Sequence, residues 1–167
     1  RPGLDDKILL DWNALMISAY ANACAATGEA KYGRIAQQQL DFLLQAFRQE
    51  DGPALYHTYK EGKAQYDAFL DDYAFLIAAM LDVYSVAFDP ALITTARQYA
   101  QYVQDNFWDA ESGLFFFTSE KQTDILYRKK ELYDNAQPSG NATMALNLLR
   151  LSILTGERAL TQTATQM

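Results

Sequence analysis

The amino-acid sequence predicts an all-α fold, a partial (α/α)6 toroid of helical hairpins that takes in residues 1–167 as a single domain. Two observations predict it. Helices that are apolar on nearly every side alternate with helices that carry one apolar stripe. The tripeptide Thr-Gly-Glu also recurs, at residues 27–29 and 155–157, at the same distance from Ala14 and Ala142. This repeat of inner helix, outer helix and hairpin predicts about three of the six units of a toroid.

The first unit pairs an apolar helix over residues 12–26 with a striped helix over residues 29–48. A helix that is apolar all round is expected to be buried all round. Residues 55–59 and 65–66 have β-type composition, and residues 61–63 can turn the chain between them, so they predict a short β-hairpin.

The second unit begins with an apolar helix that Asp71 or Asp72 caps and that runs to about Val86. Its striped partner begins at Pro90, a residue favoured in the first turn of a helix. The stripe consists of Leu92, Ala96, Tyr99, Val103 and Phe107.

The third unit is preceded by a predicted pair of strands, residues 114–118 and 125–128. Residues 141–154 then form the third apolar helix, which Gly156 ends. The third striped helix begins at Glu157.

Polar clusters precede all three apolar helices. If every unit repeats in the same sense, the N-termini of these helices share one rim, and the hairpins join that rim. The candidate site residues expected to converge there are Asp5, Asp6, Lys7, Trp12, Asn13, His57, Asp71, Asp72, Tyr73, Asp134, Ser139, Gly140 and Asn141.

Among these residues, Asp6, Asp72 and Asp134 are the candidates for general acid and base, and the others are candidates for substrate binding. Neighbouring carboxylates separate each other's pKa values, which is how glycosidases obtain an acid and a base. The alternatives stay open at this point. The aspartates also fit as helix caps or solvated charges, Trp12 as a core residue, and His57 as a merely hydrogen-bonded side chain.

Composition and charge exclude several classes of function. The net charge is −7 and no basic run is present, so a nucleic-acid or anionic-membrane partner is not expected. One cysteine, Cys24, permits no intrachain disulfide. We expect no metal and no cofactor, because the sequence has no His/Cys cluster, no EF-hand spacing and no phosphate loop. The opening shows no signal peptide, which predicts a cytoplasmic protein, and its lack of Met predicts a fragment or a processed product.

Several ordered motifs resemble one family, that of the spermatogenesis-associated thioredoxin-domain protein and its bacterial relatives. They are Arg1-Pro2, Leu4 to Lys7, Trp12 to Ile17, Leu70 to Leu76, Phe107 to Asp109, Asp134 and Pro138 to Asn141. The resemblance implies a six-hairpin-glycosidase-like toroid, similar to the sugar epimerases acting on N-acylglucosamine and cellobiose, joined to an N-terminal thioredoxin-like domain. The present chain contains no thioredoxin-like segment and no Cys-x-x-Cys motif.

Two hypotheses of function follow. The first is sugar binding or processing, as a hydrolase or an epimerase, with the rim carboxylates as acid and base. The second is a non-catalytic helical module that docks the thioredoxin-like domain or another protein. The apolar inner helices of half a toroid also predict a homodimer that completes a ring of six hairpins.

Overall fold

The computed structural model describes residue 3, residues 5–50 and residues 52–167; the Arg1-Pro2 and Leu4 parts of the first motif lie outside this range. Helices account for most of the described chain, and the strands are short. The helices are α1 (Leu10–Thr27), α2 (Ala30–Ala46), α3 (Leu70–Ala87), α4 (Pro90–Phe107), α5 (Gly140–Thr155) and α6 (Arg158–Gln166). The strands are β1 (Ile8–Leu9), β2 (Tyr56–Lys60), β3 (Lys63–Asp67), β4 (Trp108–Asp109) and β5 (Leu114–Phe115).

The helices form consecutive hairpins, with α1 against α2, α3 against α4 and α5 against α6. The first helix of each hairpin is an inner helix, and α3 packs between α1 and α5. The predicted (α/α) toroid of helical hairpins is therefore confirmed, as an arc of three units.

Helix α3 lies at the centre of this arc and is buried on nearly every side, as its apolar sequence predicts. The same prediction is wrong for α1 and α5, which lie at the two ends of the arc. On α1, Trp12 and Met16 are exposed, and on α5, Leu146 and Ile153 are exposed. Each end helix has an inner neighbour on one side only, so one apolar face stays uncovered.

The outer helix α4 follows its predicted stripe closely. In α4, the five predicted stripe residues are all buried, whereas Arg97 and Gln101 on the other face are exposed. The burial of one stripe against the inner helices is what holds an amphipathic helix in place. Asp89 caps this helix by accepting a hydrogen bond from the Ala91 N–H at 2.9 Å.

The predicted hairpin between α2 and α3 is confirmed as β2 and β3, with β1 as a third antiparallel strand beside β2. Glu61 and Gly62 make its turn with positive φ angles of 51° and 79°. The second predicted strand pair is wrong, because β5 pairs with β4 and residues 125–128 form no strand. The segment near these residues is instead held by a hydrogen bond from the Phe117 N–H to the Lys129 carbonyl at 2.8 Å and by the Arg128 side chain, which donates to the Thr118 and Asn106 carbonyls.

None of the described helices is both long enough and apolar enough to cross a membrane.

Candidate active site

The N-termini of the three inner helices meet at the first turn of α3. The Asp11 N–H, in the first turn of α1, donates to Asp72 Oδ1 at 3.1 Å. Gln137, which precedes α5, donates from Nε2 to Asp71 Oδ2 at 3.0 Å. The consecutive aspartates of α3 thus connect α1 on one side with α5 on the other, and the expected common rim is present.

Asp72 is completely buried and its carboxylate is saturated with donors. Besides the Asp11 N–H, it accepts a bond from the Phe69 N–H to Oδ2 at 2.8 Å. His57 Nδ1 lies 3.0 Å from Oδ1 and 2.9 Å from Oδ2. Burial raises the pKa of Asp72 to about 6, against the lowering effect of the hydrogen bond and charge of His57. Asp72 therefore holds the start of α3, the start of α1 and the imidazole together.

His57 lies on β2, and its ring is fixed from two directions. Nδ1 is bound by Asp72, and the Phe69 ring lies against the imidazole with centroids 5.0 Å apart. Partial burial lowers the pKa of His57, but the hydrogen bond and negative charge of Asp72 more than offset this, so the pKa is raised overall. The side chain keeps 21% of its surface exposed, so the ring remains accessible at the rim.

Asp71 occupies a different environment from its neighbour, although it is also mostly buried. It lines a cavity of about 250 Å³ whose wall also includes Trp12, Tyr133 and Gln137. Its Oδ1 atom is buried beside the Gly140 backbone and has no hydrogen-bond partner of good geometry among the described residues, and Gln137 Oε1 is likewise buried without one. Burial raises the pKa of Asp71 to about 6, against the lowering effect of the Gln137 side chain and the Gly140 backbone, and the negative charge of Glu131 acts in the same direction as burial. The cavity wall thus includes a carboxyl and an amide, each with one oxygen buried beneath the surface, beside the exposed indole of Trp12.

Gly140 is the residue that allows α5 to approach Asp71. A Cβ atom at this position would lie 2.1 Å from Asp71 Oδ1 and 3.3 Å from Leu70 Cγ. The first residue of α5 must therefore be glycine for the cavity to have this shape.

Other predicted site residues lie at the surface, where they make local contacts. Asp6 forms an ion pair with Lys60 at 2.5 Å, and Asp5 lies 3.5 Å from the Lys7 ammonium. Asp134 accepts a hydrogen bond from the Ser139 N–H at 2.9 Å. The carboxylate that the structure brings to Asp72 is therefore Asp11, not Asp6 or Asp134.

A further group of predicted site residues forms hydrogen bonds with the backbone and thereby stabilises the fold. Asn13 donates to the Leu9 carbonyl at 2.7 Å, and Ser139 caps α5 by accepting from the Ala142 N–H at 3.5 Å. Asn141 is buried and exchanges two hydrogen bonds with the backbone of Phe115. Tyr73, expected at the rim, lies in the core instead, where its hydroxyl accepts from the Leu55 N–H at 3.0 Å.

Asp11, Glu131 and Gln137 belong to this site and were missed from the sequence. The repeat contained a signal for the first of them. Asp11 precedes Ala14 by three residues, as Asp71 precedes Ala74. Glu131 and Gln137 lie in an irregular segment before α5, where periodicity carries no information.

Among the described residues, one group of side chains could hold a metal ion. Its potential ligand atoms, from Asp11, His57 and Asp72, lie within 4.8 Å of one another. Both oxygens of Asp72 already accept a backbone N–H bond and share the contact with His57 Nδ1, so a metal bound to Asp72 and Nδ1 would have to displace the bond between them. The geometry is that of a hydrogen-bonded dyad.

Comparison with solved structures defines the class of fold as the (α/α)6 toroid. The GH76A alpha-1,6-mannanase of Salegentibacter superposes with a TM-score of 0.76 at 14% identity, over 95% of this chain and 45% of that one. The cellobiose 2-epimerase of Bacillus thermoamylovorans gives 0.79 at 14% identity, over 98% and 44%. A variant of the mannanase with two consecutive aspartates replaced by asparagine is described as inactive and was solved with alpha-1,6-mannotriose.

Sequence comparison narrows this class to a particular group of relatives. The chain is homologous to one segment of spermatogenesis-associated protein 20. It is 32% identical to the Homo sapiens protein over 167 residues and 33% identical to the Rattus norvegicus protein over 165 residues. These matches cover 95% and 93% of the chain, which spans about a fifth of the length of these relatives. No protein-family profile matches the chain.

Proposed function

We propose that this chain supplies part of a carbohydrate-processing site, in which Asp71 acts as a general acid or base on a sugar bound in the cavity beside Trp12. The observation that carries the proposal is the Asp71 carboxyl itself. It is mostly buried, it lines the cavity, and its Oδ1 atom lies beneath the cavity wall without a partner of good geometry among the described residues. A buried acceptor without a partner costs free energy, so its retention favours a role in ligand binding.

The pKa of Asp71 suits such a role. A carboxyl with a pKa of about 6 is present in both protonation states near neutral pH. It can therefore donate a proton to a leaving oxygen or accept one from a substrate carbon or water.

The remaining wall of the cavity is suited to a sugar. Trp12 is 63% exposed and offers an aromatic face, on which the C–H face of a pyranose can stack. Asp71 and Gln137 line the same wall, and their buried oxygens, Oδ1 and Oε1, are acceptors without donors. Sugar hydroxyls are donors, and a neutral polyhydroxylated ligand would satisfy both oxygens once these side chains turn toward the cavity.

The similar toroids support the same class of substrate. Their solved members include a mannanase and an epimerase, and the inactive mannanase variant lacks two consecutive aspartates. Asp71 and Asp72 are a consecutive pair at the rim of this chain.

The test is turnover of an oligosaccharide panel by the protein as its gene encodes it, with Asp71→Asn as the variant. We expect kcat to fall by two to four orders of magnitude, roughly the contribution of general acid–base catalysis, with the fold intact by circular dichroism. The matched control is Asp41→Asn, an exposed aspartate on α2 that contacts only Gln37 among the described residues. Wild-type turnover by Asp71→Asn would refute the proposal.

A non-catalytic docking role is the second candidate, and one observation favours it. Trp12 and Tyr133 are both strongly exposed at the rim, and exposed aromatic side chains are typical of protein interfaces. The partner would be a thioredoxin-like domain or another protein. Binding without turnover that survives Asp71→Asn and is lost on Trp12→Ala would support this candidate over the first.

A further inference from the structure

We infer that His57 is a proton-transfer residue of this rim and that Asp72 is the residue that positions it, so that Asp72 does not itself meet the substrate. The inference rests on the proposed function, because it adds a second proton-transfer residue at the same rim. It is carried by the geometry of the Asp72–His57 pair and of the groups that surround it.

Asp72 has no capacity left for a ligand. A carboxylate has about four acceptor positions, and here they meet the Asp11 N–H, the Phe69 N–H and the bifurcated contact with His57 Nδ1. The residue is also 0% exposed. A side chain without surface and without a free lone pair can influence a reaction only through the group it holds.

The group it holds is the imidazole. Because Asp72 accepts at Nδ1, it selects the imidazole tautomer that carries its proton there, which leaves the lone pair on Nε2. No described residue hydrogen-bonds Nε2. Phe69 is fixed in turn by stacking on Phe117, with centroids 4.8 Å apart and an interplanar angle of 13°, so the ring has little freedom to turn away.

The charged groups that act on His57 come from three neighbouring parts of the chain. Asp72 on α3 and Asp11 on α1 are negative and favour the imidazolium, whereas Lys7, just before β1, opposes it. The imidazole takes up one proton and returns the same proton. Nε2 takes a proton from a substrate O–H or C–H group, the imidazolium is stabilised by Asp72, and the same proton is returned to the product or to a leaving oxygen.

His57 is the only histidine of the chain, which makes the dyad directly measurable. In a ¹H–¹⁵N spectrum of the imidazole, we expect the Nδ1–H tautomer above the pKa and a titration midpoint above the ordinary value of about 6.5. Asp72→Asn should lower the midpoint and shift the tautomer balance toward Nε2–H. Asp67→Asn is the control, because Asp67 is exposed on the same hairpin and is bound by Gln49.

A second measurement tests access to Nε2 and does not require a folded variant. Diethylpyrocarbonate acylates an imidazole at an unprotonated, accessible nitrogen, so the single imidazole of the wild-type protein should be acylated, as read by the absorbance specific to the modified ring, with a pH midpoint equal to that of the spectrum. An Nε2–H tautomer, a midpoint at or below about 6.5, or no acylation would each overturn the dyad.

Turnover measurements on variants distinguish a failure of this inference from a failure of the proposed function. His57→Gln should lower kcat at least tenfold, leave KM nearly unchanged and remove one limb of the pH profile. If His57→Gln keeps the wild-type kcat on a substrate that Asp71→Asn fails to turn over, the role of His57 is refuted and the proposed function stands. If the spectra and acylation agree with the dyad but wild-type protein turns over no carbohydrate, the proposed function fails, and with it the proton-transfer role, while the dyad stands.

Discussion

Asp71 and Asp72 are neighbours in sequence, but their environments differ in the way that a helix start dictates. Successive residues of a helix point about 100° apart, so one carboxylate faces the junction of α1 and α3 and the other faces the cavity before α5. Asp72 is satisfied by backbone and imidazole donors, whereas Asp71 keeps an unpaired oxygen. The same residue type thereby serves the fold at one position and, in the proposed function, a ligand at the next.

The pKa of Asp71 predicts a pH dependence of stability. The folded-state pKa of about 6 lies above the ordinary value of 3.8, so the folded protein holds this proton more tightly than the unfolded chain. The contribution is fully present below about pH 4 and is lost as the pH rises through about 6. Asp71→Asn removes this titration. We expect it to raise the free energy of unfolding at pH 7 relative to wild type by up to about 3 kcal/mol, at about 1.4 kcal/mol per pKa unit.

Urea unfolding at pH 4 and pH 7 measures this effect. The difference between wild type and Asp71→Asn should be larger at pH 7 than at pH 4, and Asp41→Asn should follow wild type at both. An equal difference at the two pH values would show that the carboxyl titrates normally in the folded protein.

At the scale of the elements, the sequence predicted structure best where burial of one helix face requires apolar residues at regular spacing. The stripe of α4 must face the core, so its five residues could be predicted individually. Residues 125–128 have β-type composition, but none of the described strands pairs with them. Leu126 and Tyr127 are exposed, so β-type composition without a partner strand did not produce a strand here. Asp11 was missed although its spacing from Ala14 matches that of Asp71 from Ala74, because its approach to Asp72 depends on how α1 packs against α3.

The contact between the starts of α3 and α5 predicts a coupling that can be measured. In the wild-type protein, Gly140→Ala should cost about 1–3 kcal/mol, because its Cβ meets Asp71 Oδ1 at 2.1 Å. In an Asp71→Ala background this obstacle is absent. The same change should there be neutral or stabilising, because alanine restricts the unfolded chain more than glycine does.

A double-mutant cycle by chemical denaturation measures this coupling. If Gly140→Ala were harmless in both backgrounds, the close approach would be contradicted. Equal destabilisation in both backgrounds would place the obstacle at Leu70 instead, whose Cγ lies 3.3 Å from the position that the new Cβ would take.

At the scale of the whole molecule, the two ends of the arc show where further helices would have to pack to close a ring. Helix α3 has an inner neighbour on each side, but α1 and α5 each have one. The chain covers 44–45% of the mannanase and the epimerase it resembles, so a closed ring of that type needs about as many helices again. Those helices can come from a longer polypeptide or from a second copy of this chain.

The second source gives a prediction for the 167-residue chain in solution. Met16 on α1 and Leu146 and Ile153 on α5 expose apolar surface, and burial of such surface favours association by about 25 cal/mol per Å². We expect a dimer with twice the 18.9 kDa mass of one chain by light scattering behind a sizing column. Ile153→Lys should give the monomer, because it places a charge in the interface, whereas Leu126→Lys, in the exposed loop before α5, should leave the dimer intact. A wild-type monomer at all concentrations would mean that these faces do not pair with a second copy, and carbohydrate screens would then require the longer polypeptide.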